Sequence, residues 1–337
     1  MTTSQDIATQ VLAISDAELF QRKLALDDRE LRLLDQDFLG VALAAPSAVS
    51  IADRDSLPLL VAFRGTGLRA WEVPRDRNAL LAAVDLDTRD VFFGQVFRDR
   101  KLEEHPPPGA PPATPRPAGV SATSVGAFVR RVDARAILDL PWRPARYRIA
   151  LINYDVVSNL VDVTLEGPSA PSVGVAREVR PRPPGPGGDP GARPNIPTYL
   201  PYDGATAPSA PLELQLAPDA TRGARLLAWG GFSLTAEAAH LPEQLAAIPE
   251  IDGAPRSVAA VVPLTIALVG LNAPAPARAD LALPVYGAWL AQPGADLSGH
   301  FMLDVSAAVR GGATAGEHQV YAFFEGRIFG PIRATIA

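Results

Sequence analysis

Imidazole, carboxylate and indole groups are the side chains here with chemistry to offer, and they are scattered along the chain. The chain holds four histidines, His105, His240, His300 and His318, and no cysteine. Without cysteine there is no disulfide, no thiolate nucleophile and no Cys-based zinc or iron–sulfur site. His300 and His318 begin neighbouring candidate strands, and with Asp304 they form the one weak candidate metal set, since imidazole and carboxylate suit several metals. No H-x-H or HExxH spacing supports it, and histidines at strand ends are the plainer reading, so no metal or cofactor is expected. No G-x-S-x-G marks a nucleophile. GPGGDPG lacks the strand-then-helix context and the lysine of a phosphate-binding loop, so no catalytic residue is assigned.

Two aromatic motifs are candidates for ligand or partner binding. Leu140-Pro141-Trp142-Arg143-Pro144 sets Trp142 beside Arg143 between two candidate strands, which suits stacking on a sugar or peptide. A tryptophan covering the end of a core is the commoner outcome. Tyr199 and Tyr202, in YLPYDG, place two tyrosines in a linker, where they either anchor it or meet a partner. Asp133 and Asp304 recur at equivalent places, as paired ligand sites would, or as strand-end aspartates that bind backbone N–H groups.

The elements that must position these residues read as strands. The 337 residues exceed one ordinary core and predict two domains. Hydrophobic residues make up 47% and charged residues 20%, a globular balance. The 34 prolines force many loops and edge strands. The net charge of −6 comes with interleaved signs and no basic run, so nucleic acid is not an expected partner. Composition rich in Ala, Arg and Pro points to a GC-rich bacterial genome.

Residues 1–36 predict a helical N-terminal arm, with Ser15 and Glu18 spaced as a capping box and a second helix over Asp27–Asp37. After it, short apolar runs broken by Pro, Gly and Asp predict an all-β body. The first domain spans 37–168 and carries a Pro-rich loop at 104–120. A Pro/Gly-rich linker covers 169–211, and the second domain spans 212–337. The longest apolar run, Val258–Gly270, contains Pro263 and is too short to span a bilayer. The N-terminus has no basic segment followed by an apolar one. The expectation is a soluble, cytoplasmic protein.

An internal repeat is visible. Pro58–Gly65 resembles Pro263–Gly270, Asp90–Gly94 resembles the segment ending Tyr286-Gly287, and Phe38–Val41 resembles Trp229–Phe232. Asp133 precedes Tyr147 by 14 residues, as Asp304 precedes His318, and Tyr147–Leu165 then aligns with His318–Ile336 without a gap. The expected fold is therefore two tandem antiparallel β-sandwich domains, jelly-roll or immunoglobulin-like, from an internal duplication. With strands well specified and catalytic motifs lacking, the expected role is a non-catalytic structural, scaffolding or binding protein. The rivals are a carbohydrate- or peptide-binding module pair, and a hydrolase or lyase whose carboxylates and tyrosines meet at the domain interface. A protein partner or self-association through the N-terminal arm or strand edges is a further expectation.

Overall fold

The computed structural model describes residues 2–21, 24–66, 79–96, 125–153, 155–167, 212–219, 225–235, 258–270, 276–286, 296–304 and 315–336. The chain is mostly β and divides into two compact units, Met1–Pro168 with Val269–Pro276, and Ser169–Leu268 with Ala277–Ala337. No helix among the described residues is long and apolar enough to cross a membrane.

The first unit begins with three helices, α1 (Ser4–Gln10), α2 (Asp16–Leu19) and α3 (Asp27–Leu34). Thr3 and Ser15 each close a capping box, with Asp6 and Glu18, so orphan N–H groups at both helix starts find an acceptor. The strands are β1 (Gly40–Ala44), β2 (Ala48–Ser50), β3 (Pro58–Thr66), β4 (Ala79–Asp85), β5 (Val91–Gln95), β6 (Val125–Asp133), β7 (Ala145–Asn153), β8 (Val156–Val157) and β9 (Val161–Glu166). A fourth helix, α4 (Ala134–Leu138), follows β6. One sheet has the order β1-β3-β6; the other has β2-β9-β7-β4-β5, with β8 paired to β7.

Alternate residues of both sheets meet in one core: Val41, Leu43, Leu59, Val61 and Phe63 from one side, Leu81, Ala83, Tyr147, Ile149, Leu151, Val163 and Leu165 from the other. The other face of β1-β3-β6 is also buried. Ala42, Leu60, Ala62 and Val129 pack against Ile7, Val11, Leu12, Leu19 and Leu33 of the helical arm and against Phe38, which follows it. Burial on both faces is why Pro58–Phe63 reads as a continuous apolar run rather than an alternation. The arm is tied down by polar bonds too. The Val129 N–H donates to Glu30 Oε1 at 2.9 Å, Ser47 donates through N and Oγ to Asp16, and Arg131 donates to the Gln21 carbonyl.

The second unit holds β10 (Leu212–Asp219), β11 (Arg225–Thr235), β12 (Val258–Gly270), β13 (Ala277–Tyr286), β14 (Asp296–Asp304), β15 (Gly316–Phe324) and β16 (Arg327–Ile336). Its sheets have the orders β10-β11-β14 and β13-β12-β15-β16. Phe232 of β11 and Phe324 of β15 meet at 5.9 Å between ring centroids, joining the two sheets through their apolar faces. Glu325 and Gly326, both at positive φ, form the two-residue turn between β15 and β16.

Several expectations need correction. Pro58–Gly65 lies in β3, inside a three-stranded sheet, whereas Pro263–Gly270 lies in β12, inside a four-stranded one, so this resemblance joins strands of different position. The same holds for Phe38–Val41, which leads into the edge strand β1, and Trp229–Phe232, in the central strand β11. The strand β4, ALLAAVD, is absent from the sequence reading because alanine and leucine carry little β preference. Alternation in Tyr147–Leu151 and His318–Ala322 suggests one buried face, yet Ala150 and Ile152, and Tyr321 and Phe323, are buried as well.

Candidate functional site

Three of the candidates, Asp133, Trp142 and Arg143, lie at one end of the first unit, where β6 ends, α4 turns and β7 begins. Asp133, the last residue of β6, caps α4. Its Oδ1 accepts the N–H of Arg135 at 3.1 Å and the N–H of Leu57 at 3.0 Å. The strand-end aspartate thus fixes both a helix start and the entry to β3. The helix stops at Asp139, whose left-handed backbone (φ 51°) redirects the chain into Leu140–Pro144.

Trp142 is engaged around its ring. Its Nε1 donates to the Arg54 carbonyl at 3.1 Å, the Arg135 guanidinium lies 4.4 Å from its ring centroid, and the ring packs on the core. Arg135 in turn donates to the Asp55 carbonyl, and Arg54 lies 4.5 Å over the Phe20 ring. The tryptophan covers the end of the core and pins the segment between β2 and β3, with a cation already at its π face.

Arg143 reaches a fully buried carboxylate. Its Nη2 donates to Asp85 Oδ2 at 2.7 Å, with the side chains 40% and 0% exposed. Asp85 Oδ1 accepts the N–H groups of Asp87 at 2.9 Å and Thr88 at 3.0 Å, closing the turn between β4 and β5. Three donors therefore offset the cost of burying this charge. Beside it, the Tyr147 hydroxyl donates to the Pro141 carbonyl at 3.3 Å. Burial, and after it the neighbouring Asp85 charge, pushes the Tyr147 phenol up to about 12, so it stays protonated. Asp85 is missed at the level of sequence because β4 is missed; the signal available is the D-L-D-T-R-D turn that follows an apolar run.

His318 sits in β15, 2% exposed, with Nδ1 at 3.0 Å from the Gly316 carbonyl. His300 and Asp304 lie in β14, opposite Gly231 and Leu227, and their side chains fall outside the described ones. The two histidines thus stand on strands of different sheets. Among the described residues no three His, Asp or Glu side chains gather to hold a metal ion. Tyr199, Tyr202, His105 and His240 lie outside the described residues, as do the Pro-rich loop at 104–120 and the linker.

What these contacts do chemically is hold segments of the chain to one another. The Arg143–Asp85 pair, the Asp133 cap and the Trp142 bond all join segments of the first unit to each other. No protein-family model matches the chain, and no curated protein matches it in sequence.

Proposed function

We propose that this chain is a non-catalytic structural, scaffolding or binding protein, formed by two tandem immunoglobulin-like β-sandwich units that descend from one ancestor by internal duplication. The observation that carries the reading is strand order. The sheet β1-β3-β6 has the same chain order as β10-β11-β14, and β9-β7-β4-β5 the same as β16-β15-β12-β13. One sheet of A, B and E strands and another of G, F, C and C′ strands is the immunoglobulin-type arrangement rather than the jelly roll. The first unit adds β2 and β8.

Register supports the same reading. Tyr147 pairs with Val163 and Ile149 with Val161; at the aligned positions, His318 pairs with Ala334 and Val320 with Ile332. Asp133 and Asp304 each end the strand that flanks the central strand of its three-stranded sheet. A chain without cysteine makes this testable by cross-linking. Cysteine pairs at Arg146/Thr164 and at Glu317/Thr335 stand directly opposite in both units. Both pairs are expected to oxidise to disulfides, while pairs shifted by one residue do not. A second unit that cross-links only in a shifted register refutes the duplication.

The non-catalytic role is supported by where the polar candidates go, since Asp85, Asp133, Trp142 and Arg143 are committed to the framework. The test is a panel of chromogenic glycoside, ester and polysaccharide-lyase substrates on the full chain. No turnover is expected. Turnover abolished by Asp85→Asn with an unchanged melting temperature overturns the reading in favour of an enzyme.

A further inference from the structure

The helix α3 carries two rows of side chains and buries one of them. Leu26, Glu30 and Leu33 share one side at helical spacing. Leu33 is buried in the cluster on the β1-β3-β6 sheet with Leu26 packed against it, and Glu30 accepts the Val129 N–H. Asp27, Leu31 and Leu34 form the second row, about 100° further round the helix. Leu31 is 62% exposed, Leu34 38%, and Leu39, just past the arm, 48%.

These leucines are held in place. Arg64 of β3 donates from Nη2 to the Leu34 carbonyl at 3.1 Å and from Nη1 to the Phe38 carbonyl at 2.5 Å. The chain is thereby fixed on both sides of the turn that separates Leu34 from Leu39. Arg64 stands opposite Gly40 of β1 and Ala127 of β6, so Leu39 and the exposed Val125 lie at this same end of the sheet. Apolar side chains scattered singly over a surface need no explanation, whereas a fixed group of them marks an interaction site.

The surroundings of this group are acidic. Residues 1–37 hold eight acidic and four basic side chains, so they supply four of the six net negative charges of the chain. Asp27, Asp28 and Asp35 are exposed around Leu31 and Leu34. The cations of α3 are directed elsewhere: Arg32 donates to the Val11 carbonyl at 3.4 Å, and Arg29 is half-buried.

We propose that this face docks a basic amphipathic helix of a partner protein. Its apolar row covers Leu31, Leu34 and Leu39, while its lysines and arginines meet Asp27, Asp28 and Asp35. Charge selects the occupant, since an identical acidic face on a second copy repels this one, as do anionic lipid headgroups and nucleic-acid phosphates. The proposal rests on the binding role given above and names a partner class for it.

The probe is a fluorescein-labelled helical peptide with leucine at i, i+3, i+4 and i+7 and lysine elsewhere, titrated with the full chain and followed by anisotropy. Saturable binding is expected. Leu31→Ser combined with Leu34→Ser should weaken it about tenfold at an unchanged melting temperature. Leu160→Ser, at a leucine of similar exposure beside β9, should leave it unchanged. Asp27→Asn with Asp28→Asn and Asp35→Asn should weaken binding at low ionic strength, and that loss should shrink at about 1 M salt, where the screening length is about 3 Å. No binding, or binding indifferent to the Leu31 and Leu34 changes, overturns the proposal. So does a sedimentation mass that falls on Leu31→Ser, which assigns the face to a second copy, or pelleting with anionic vesicles that needs these leucines. If the cysteine pairs report matching registers and the substrate panel shows no turnover, such a failure leaves the function proposed above standing.

Discussion

Replacing Asp85 by asparagine removes one buried negative charge and little else, because the amide oxygen can still accept the Asp87 and Thr88 N–H groups. What changes is the side facing Arg143, where a donor now meets a donor. A charge-assisted hydrogen bond contributes about 1.5–3 kcal/mol. Arg143 is 40% exposed and regains water when released, so the loss belongs at the lower end, about 2 kcal/mol. Arg143→Ala leaves the carboxylate buried with two backbone donors and no counter-charge, which should cost about 3 kcal/mol. The two losses share one contact. The double variant should therefore be less destabilised than the sum of the singles, by about 1–2 kcal/mol. Urea unfolding at neutral pH, followed by far-UV circular dichroism, measures all four corners of the cycle. Additive effects, or single losses below about 0.5 kcal/mol, refute the account of Asp85 and Arg143 as a structural pair.

Gly94→Ala should be among the most damaging small changes. An added Cβ would lie 2.0 Å from the Ile137 carbonyl oxygen, so α4 must move, at a cost of about 3 kcal/mol read from the same unfolding curves. Leu33→Ala opens a cavity between α3 and the β1-β3-β6 sheet and should cost about 2–5 kcal/mol, with little loss if the arm is merely an appendage. Alkaline stability follows from Tyr147. Its phenol is raised above the ordinary value of 10 to about 12, so its contribution is complete below about pH 10 and is lost as pH rises through 12. Because burial disfavours the phenolate and leaves the neutral phenol as it is, ionisation at high pH costs the fold up to about 2–3 kcal/mol. Tyr147→Phe should therefore flatten the stability profile from about pH 9 to about pH 12 relative to the parent chain, measured by denaturant titration; parallel profiles contradict it.

Much of the β character is written locally. The strand runs, the Glu325-Gly326 turn and the Ser15–Glu18 capping box each depend on a few adjacent residues, and so are legible in the sequence. The gap-free alignment of Tyr147–Leu165 with His318–Ile336 is legible for the same reason: both hairpins keep one spacing. Local pattern fails where burial comes from elsewhere. ALLAAVD becomes β4 because β5 and β7 pair with its two edges, and no residue within the segment announces either. Pro58–Phe63 and Pro263–Leu268 look alike because each is buried on both faces, and shared burial mimics shared descent. Only sheet order separates them, and sheet order is a property of long-range pairing.

The candidate site divides along the same line. Residue type and spacing single out Trp142, Arg143 and Asp133 as unusual, but their use depends on partners far along the chain: Arg54, Asp85 and Leu57. A tryptophan beside an arginine is written identically for a ligand platform and for a lid on a core. The tertiary structure adds what they touch: Arg135 lies on the Trp142 ring, and a buried carboxylate lies under Arg143. Composition and periodicity thus determine most of the strands and the absence of cysteine chemistry. Which faces are covered, which edges are closed and which charges are paired are decided only when segments dozens of residues apart are brought within hydrogen-bond reach.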